Sequence, residues 1–386
     1  MEDNLERREI NRESNSLLWI ISITSSIIFS FLMAWMWYSV DNEYNPNTSQ
    51  LVSTNAAESD LIRKLKSSKD FANREFTYIP TGIYIQSLDF KNSSDVNITG
   101  YVWQKYKSDQ IIESPGFLFP EQVDSGSAIE PRLIYTHPQG ENTVYGWYFE
   151  ATLRQTFNYR DYPLDHKTVW IRIWPSDFNH DAILIPALQD YQSTTPGVSF
   201  GLDQELVLGN WNINETFFNF RKVSYDTNFG IKDRNVSRTF PELYFNIVIK
   251  RKFLNSFVVH LIPVFTVLVF LYTIVLTSTK SRDKAEIFGF NVMGTVSINS
   301  ALFFVVMLSH VHIRQKFPSE GIVYIEYFYL VMYGLMIAII INTFLVTTNQ
   351  SIFSRMISWQ DNLIPKVAYW PFTTGTLSLI TYICFF

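Results

Sequence analysis

The chain has 386 residues, 47% hydrophobic and 16% aromatic, with a net charge of −5. Its length exceeds one simple domain. Its mild acidity carries no electrostatic footprint for nucleic acid. The lone cysteine, Cys384, excludes an internal disulfide and reads as an apolar packing residue in the C-terminal tail.

Apolar residues concentrate in five runs: Leu17 to Tyr38, Phe253 to Leu276, Phe288 to Val311, Ile322 to Val346 and Val367 to Phe386. Each is about long enough to cross the roughly 30 Å hydrocarbon layer as a helix. The first run is too long for a signal-peptide core and lacks a small-x-small cleavage pattern. It ends in Ala34-Trp-Met-Trp-Tyr38, an aromatic interface belt, so it reads as a retained anchor. Arg7, Arg8 and Arg12 before it predict a cytoplasmic N-terminus. Lys280, Arg282 and Lys284 then fall on the cytoplasmic side, whereas Arg314 and Lys316 fall outside against the charge rule. The expected division is a tail over 1–16, an anchor over 17–38, a linker or stalk over 39–75, a soluble domain over 76–252 and a four-helix membrane domain over 253–386.

The soluble segment reads as many short strands. Candidates are 83–89, 96–103, 132–137, 144–157, 168–174, 206–212 and 244–249, separated by Asn, Asp, Gly and Pro turns. Val169, Ile171 and Ile173 alternate with Trp170, Arg172 and Trp174, a period of two. Together these predict an all-β sandwich outside the membrane. Tyr162-Pro163-Leu164-Asp165 interrupts the pattern, because proline removes a donor and fixes φ. A cis bond at Pro163 would suit so tight a turn.

No Gly-rich phosphate loop, nucleophile elbow or zinc motif occurs, and His310 and His312 lie two apart, which on a helix points them to different faces. The expectation is therefore no enzyme, no metal and no cofactor. The third apolar run carries more information, since polar residues in a spanning helix face protein or water. Asn291, Thr295 and Asn299 recur every four residues, and Leu302, Val306 and Ser309 continue the same face. A polar lower stripe below an apolar upper one suits a pore wall that closes by dewetting. Packing glue between helices is the competing reading. Glu286 just below could form an acidic ring favouring cations, although Arg282 and Lys284 oppose it.

The segment "TFNYRDYPLDHKTVWIRI" resembles the signature loop of the pentameric ligand-gated ion channels, the Cys-loop receptor superfamily, in the prokaryotic form that lacks the bracketing cysteines. Further segments follow in family order. "IQSLDFKNSSDVNITGYVWQKYKSD" is similar to the first two strands. "IVIKRKFLNSFVVHLIP" looks like the last strand entering the first channel helix. "HIRQKFPSEGIVYIEYFYLV" looks like the outer loop between the second and third channel helices. The likeness covers roughly 76–386, and the anchor at 17–38 lies outside the family plan. Tyr106-Lys-Ser-Asp109 also departs from the family's Trp-x-Asp, and the pore register could slide by one or two residues, to Val296, Ser300 and Phe303 for example.

The resemblance implies a homopentamer in a bilayer, a bacterial inner membrane, with the β-domain periplasmic or extracellular. A small-molecule ligand on that domain opens a cation-selective pore lined by 288–311. It implies a gating interface in which Tyr162, Pro163 and Asp165 meet Lys316, Phe317 and Pro318. Asp165 would pair with Arg251, with Asp89 as a second carboxylate. It also implies an aromatic ligand site, for which Trp103, Tyr191, Tyr225 and Phe229 are candidates. The alternative is a non-conducting membrane sensor that signals through its N-terminal helix or a partner.

Overall fold

In the computed structural model, residues 2–44, 51–67, 76–108, 114–123, 129–176, 182–227, 229–230, 238–317, 321–348 and 359–386 are described. They form two compact units. One comprises Met1–Tyr44, Asn158–Asp165 and Phe253–Phe386; the other comprises Asn45–Phe157 and His166–Lys252.

The second unit is built from sheets. Strands β1 (Leu51–Val52), β10 (Trp211–Tyr225), β11 (Arg238–Arg251), β8 (His166–Pro175) and β4 (Phe117–Leu118) form one sheet in that order. In the other, β5 (Gln122–Val123), β7 (Asn142–Arg154), β3 (Asp95–Lys107), β2 (Thr77–Phe90) and β9 (Ala182–Pro186) are neighbours, and β6 (Ile129–Gln139) also pairs with β7. Side chains along β3 and β8 alternate between buried and part-exposed, as a period of two requires when one face of a strand is covered.

An aromatic core joins the sheets: Phe218 of β10 and Phe245 of β11 meet Phe200 and Tyr191, which follow β9. Gly201 sits at φ +68, and a Cβ there would come within 2.9 Å of the Ile83 carbonyl, so the close approach requires glycine. Two sequence expectations change here. The 39–75 segment, read as a linker or helical stalk, holds the helix α2 (Asn55–Ser67) but also a strand, since β1 pairs with β10 through Leu51 opposite Asn219. The strand expected at 206–212 begins only at Trp211.

The first unit is helical. Helix α1 (Glu2–Asn42) is followed, beyond the sheets, by α3 (Phe253–Ser256), a π turn (Phe257–Leu261) and α4 (Ile262–Thr277). Pro263 stands at the start of α4 and has no N–H to give, and the widened turn lies immediately before it. Next come α5 (Arg282–Phe288), α6 (Val292–Lys316), α7 (Glu326–Thr348) and α8 (Leu363–Phe385).

Among the described residues, four spans are long and apolar enough to cross a membrane: Asn15–Asn42, Phe253–Thr277, Val292–Lys316 and Glu326–Thr348. Helix α8, the fifth apolar run, is as long as α7 but is not among them; Pro371 and a series of Thr and Ser residues dilute it.

The third run is also not one helix. Gly289 ends α5 at φ +64, and Asn291 caps α6 by accepting from the Gly294 amide at 2.6 Å.

Phe245 is fully buried among Phe200 and Phe218. Phe245→Ala is expected to destabilise the chain by about 3–5 kcal/mol, from lost transfer energy plus the cavity. A thermal melt of the full chain in detergent, followed by near-ultraviolet circular dichroism, checks it.

Candidate functional site

The turn singled out in the sequence, Asn158–Asp165, belongs to the helical unit although both flanking strands belong to the sheets. Its Tyr162–Pro163 bond is cis. Within the turn, the Tyr162 amide donates to the Tyr159 carbonyl and the Leu164 amide to the Asp161 carbonyl. That leaves the carbonyls of Arg160 and Tyr162 as outward acceptors. They receive the amides of Tyr324 at 2.7 Å and Ile325 at 3.3 Å, in the turn that opens α7.

Side chains close the same junction. Tyr159 stacks on Phe317 with centroids 4.6 Å apart, and Tyr162, 1% exposed, lies against both Phe317 and His260. The Lys316 ammonium sits 5.4 Å over the Tyr162 ring. The structure thus gathers Tyr162, Pro163, Lys316 and Phe317, and buries Asp165 in the same unit. Pro318 lies outside the described residues. Arg251 belongs to the sheet unit, its guanidinium 4.1 Å from the Trp211 ring centre. Asp89 is also there, exposed, with its carboxylate 3.1 Å from the Lys91 ammonium.

Three residues of this junction escaped the sequence reading. Glu326 is buried and accepts from Arg314 at 3.1 Å and from the Val323 amide at 2.8 Å. His310 reaches it from α6 at 3.2 Å. This network fixes the α6–α7 turn, and it explains Arg314, whose charge seemed misplaced: it neutralises a buried carboxylate. Trp37 and Tyr324 are the other two. The Trp37 indole N–H donates to the Tyr324 hydroxyl at 2.6 Å, and that hydroxyl meets Thr381 of α8 at 2.7 Å. The aromatic end of α1 is therefore turned partly into the bundle. No run-length or periodicity signal could have revealed this.

Much of the expected pore face is covered within the chain. Thr295, Asn299 and Val306 are buried, and the Asn299 amide donates to the Met336 carbonyl of α7 at 3.0 Å. Leu302 and Ser309 flank them half-buried, and Asn291 is spent as the cap. This face is packed against the chain's own helices, as the glue reading holds. Ser297, Ser300, Phe304, Leu308 and Val311 lie on the opposite, exposed face of α6. Glu286 stands exposed on α5 rather than α6. Its neighbour Lys284 is ion-paired with Asp361 at 2.8 Å.

Asp361 ties the chain before α8 to the α4–α5 loop. It also accepts from the Thr279 hydroxyl at 2.6 Å and the Lys280 amide at 3.0 Å. Gln360, Asp361 and Asn362 all hold positive φ, a left-handed turn. Burial pushes the Asp361 carboxyl up, but the bonds from Lys284, Thr279 and Lys280 outweigh it and hold the carboxyl at about 2.

The four ligand candidates separate into two places. Trp103 donates to Asp190 at 2.6 Å and, with Lys105, Tyr135 and His137, lines an open groove of about 610 Å³. Tyr191 is a core residue, its hydroxyl bonded to both the amide and the carbonyl of Ile83. Tyr225 donates to Glu242, which also pairs with Arg172 at 3.2 Å. Burial, and then that bond, push the Tyr225 hydroxyl well above its ordinary range. Phe229 is half-exposed against Tyr225 and Trp174. Arg172 further pairs with Glu121, so this end of β8 and β10 carries an ionic cluster that the strand pattern hid. Among the described residues, no group of three His, Cys, Asp or Glu side chains is placed to hold a metal. No family model and no curated protein matches the chain.

Two outcomes are expected. Trp37→Phe keeps an aromatic ring beside Phe253 and removes the donor. It should cost about 0.5–1.5 kcal/mol and speed hydrogen exchange at the Tyr324 and Ile325 amides. The Asp361 tie, held by a carboxyl of lowered pKa, should be at full strength above about pH 4 and fade as pH falls towards about 2. Melting temperatures of the wild-type chain and Asp361→Asn should therefore differ at pH 5 and converge towards pH 2.

Proposed function

We propose that the chain is a ligand-gated ion channel, assembled as a homopentamer in a bilayer, whose sheet unit receives a small-molecule ligand and whose α6 helices line the pore. The observation that carries this reading is the Asn158–Asp165 turn. It lies in the chain between β7 and β8, yet its carbonyls accept the amides that open α7 and its rings grip the end of α6. A movement of β7 and β8 is thereby delivered to α6 and α7. A ligand that binds the open state more tightly shifts the population through that contact.

The proposed pore wall is the exposed face of α6. Ser297 and Ser300 form its polar part and Phe304, Leu308 and Val311 its apolar constriction, with Glu286 as an acidic ring at the mouth. With Lys284 committed to Asp361, the carboxylate of Glu286 has less competing charge, which favours cations. The groove at Trp103 and the cluster around Tyr225 and Phe229 are the ligand-facing surfaces of this reading. The pairing of Asp165 with Arg251, implied by the resemblance, is part of the same proposal.

Subunit counting by native mass spectrometry tests the assembly, with five copies expected. A stable monomer or dimer has no closed ring and would leave the sensor reading in its place. In vesicle flux assays, Leu308→Ser should raise basal flux by hydrating the constriction. Asn299→Ala should instead lower stability by loosening α6 from α7. Equal basal flux in Leu308→Ser and the wild type would overturn the pore face. Asp165→Ala should abolish the ligand response, and Asp165→Arg combined with Arg251→Asp should restore part of it.

A further inference from the structure

A cleft of about 710 Å³ lies within the helical unit, walled by α1, by the π turn and α4, and by α8, with Phe328 of α7 at one end. None of its lining residues is charged. The hydroxyls of Ser26, Thr373 and Thr374 each donate to a carbonyl of their own helix, at 2.7 Å, so none of the three has a proton left for an occupant. Water gains nothing in such a place, and an empty void forfeits dispersion contacts.

The dimensions select the occupant. The α1 wall runs from Ser26 to Trp37, and the wall of the π turn and α4 from Phe257 to Leu268. Each covers eleven residue steps, about 17 Å at helical rise. That is close to one leaflet, about half of the roughly 30 Å hydrocarbon layer. The length and the uncharged lining of the cleft match a lipid tail lying within one leaflet. A single extended hydrocarbon chain fits. Three of the surrounding helices are apolar spans, so hydrocarbon is the solvent at this depth.

We propose that this cleft is a binding site for one acyl chain of a bilayer phospholipid, with α1 as the wall that completes it. The site does not depend on whether the helices conduct ions.

The test uses the full chain in phosphatidylcholine vesicles that contain a trace of phosphatidylcholine bearing a diazirine near the end of one acyl chain. After irradiation, adducts are mapped by peptide mass spectrometry. Adducts on Met33, Leu268 and Trp370 should exceed those on Leu379 and Ile383, exposed on α8 away from the cleft, by about tenfold, the ratio that about 1.4 kcal/mol of preference gives. Filling the cleft with Ser30→Phe and Thr374→Phe should bring the two sets to the same level while the subunit number stays unchanged. Even labelling of both sets in the wild-type chain means ordinary bilayer contact and overturns the proposal, whether or not the filled variant folds. Undiminished cleft labelling in a folded, filled variant overturns it too.

Discussion

The helical unit depends on where the backbone donors of one turn find acceptors. Between Lys316 and Glu326 the chain must reverse, and the amides that open α7 have no partner inside their own helix. Buried amides of this kind need an acceptor. Arg160 and Tyr162 supply two, from a segment that arrives out of the sheets. The two short-range bonds of the turn use the carbonyls of Tyr159 and Asp161 and leave those of Arg160 and Tyr162 to the α7 amides.

Once that contact is fixed, neighbouring charges fall into place. Glu326 is buried next to the same turn, and Arg314, His310 and the Val323 amide satisfy it. Lys316, two residues beyond Arg314, rests over the rings of Tyr162 and Phe317. Basic residues that look misplaced by a charge-counting rule are thus structural partners. Trp37 extends the junction to α1 through Tyr324. Along its length α1 runs parallel to α8, with Ser22 donating to the Val367 carbonyl and Ser378 to the Phe29 carbonyl. The helix that lies outside the resemblance is therefore built into the bundle, and the cleft it walls shares Trp37 with the turn.

Much of the fold was legible because it rests on local rules. Alternation in Val169, Ile171 and Ile173 is a consequence of the strand period, and β8 covers them. Long apolar runs report helices whose backbone must satisfy itself. The Tyr162–Asp165 turn was legible because proline forbids the ladder. Less was legible where the deciding contacts lie far apart in the chain. Among the described residues β1 is two residues long and pairs with Asn219 and Phe218 of β10. Thr295 and Asn299 do share a buried face of α6, with Asn291 as the cap before it, but a stripe of amides and hydroxyls looks the same whether it meets water or the Met336 carbonyl.

The amino-acid sequence by itself determined the strands, the apolar helices and the position of the loop that breaks the ladder, because periodicity, run length and proline act within a few residues. Only the tertiary structure decided which side of α6 is packed, that Tyr191 is core while Phe229 is half-exposed, and that Trp37 holds Tyr324. Those outcomes depend on which distant group supplies the acceptor or the covering surface, and no local pattern carries that information.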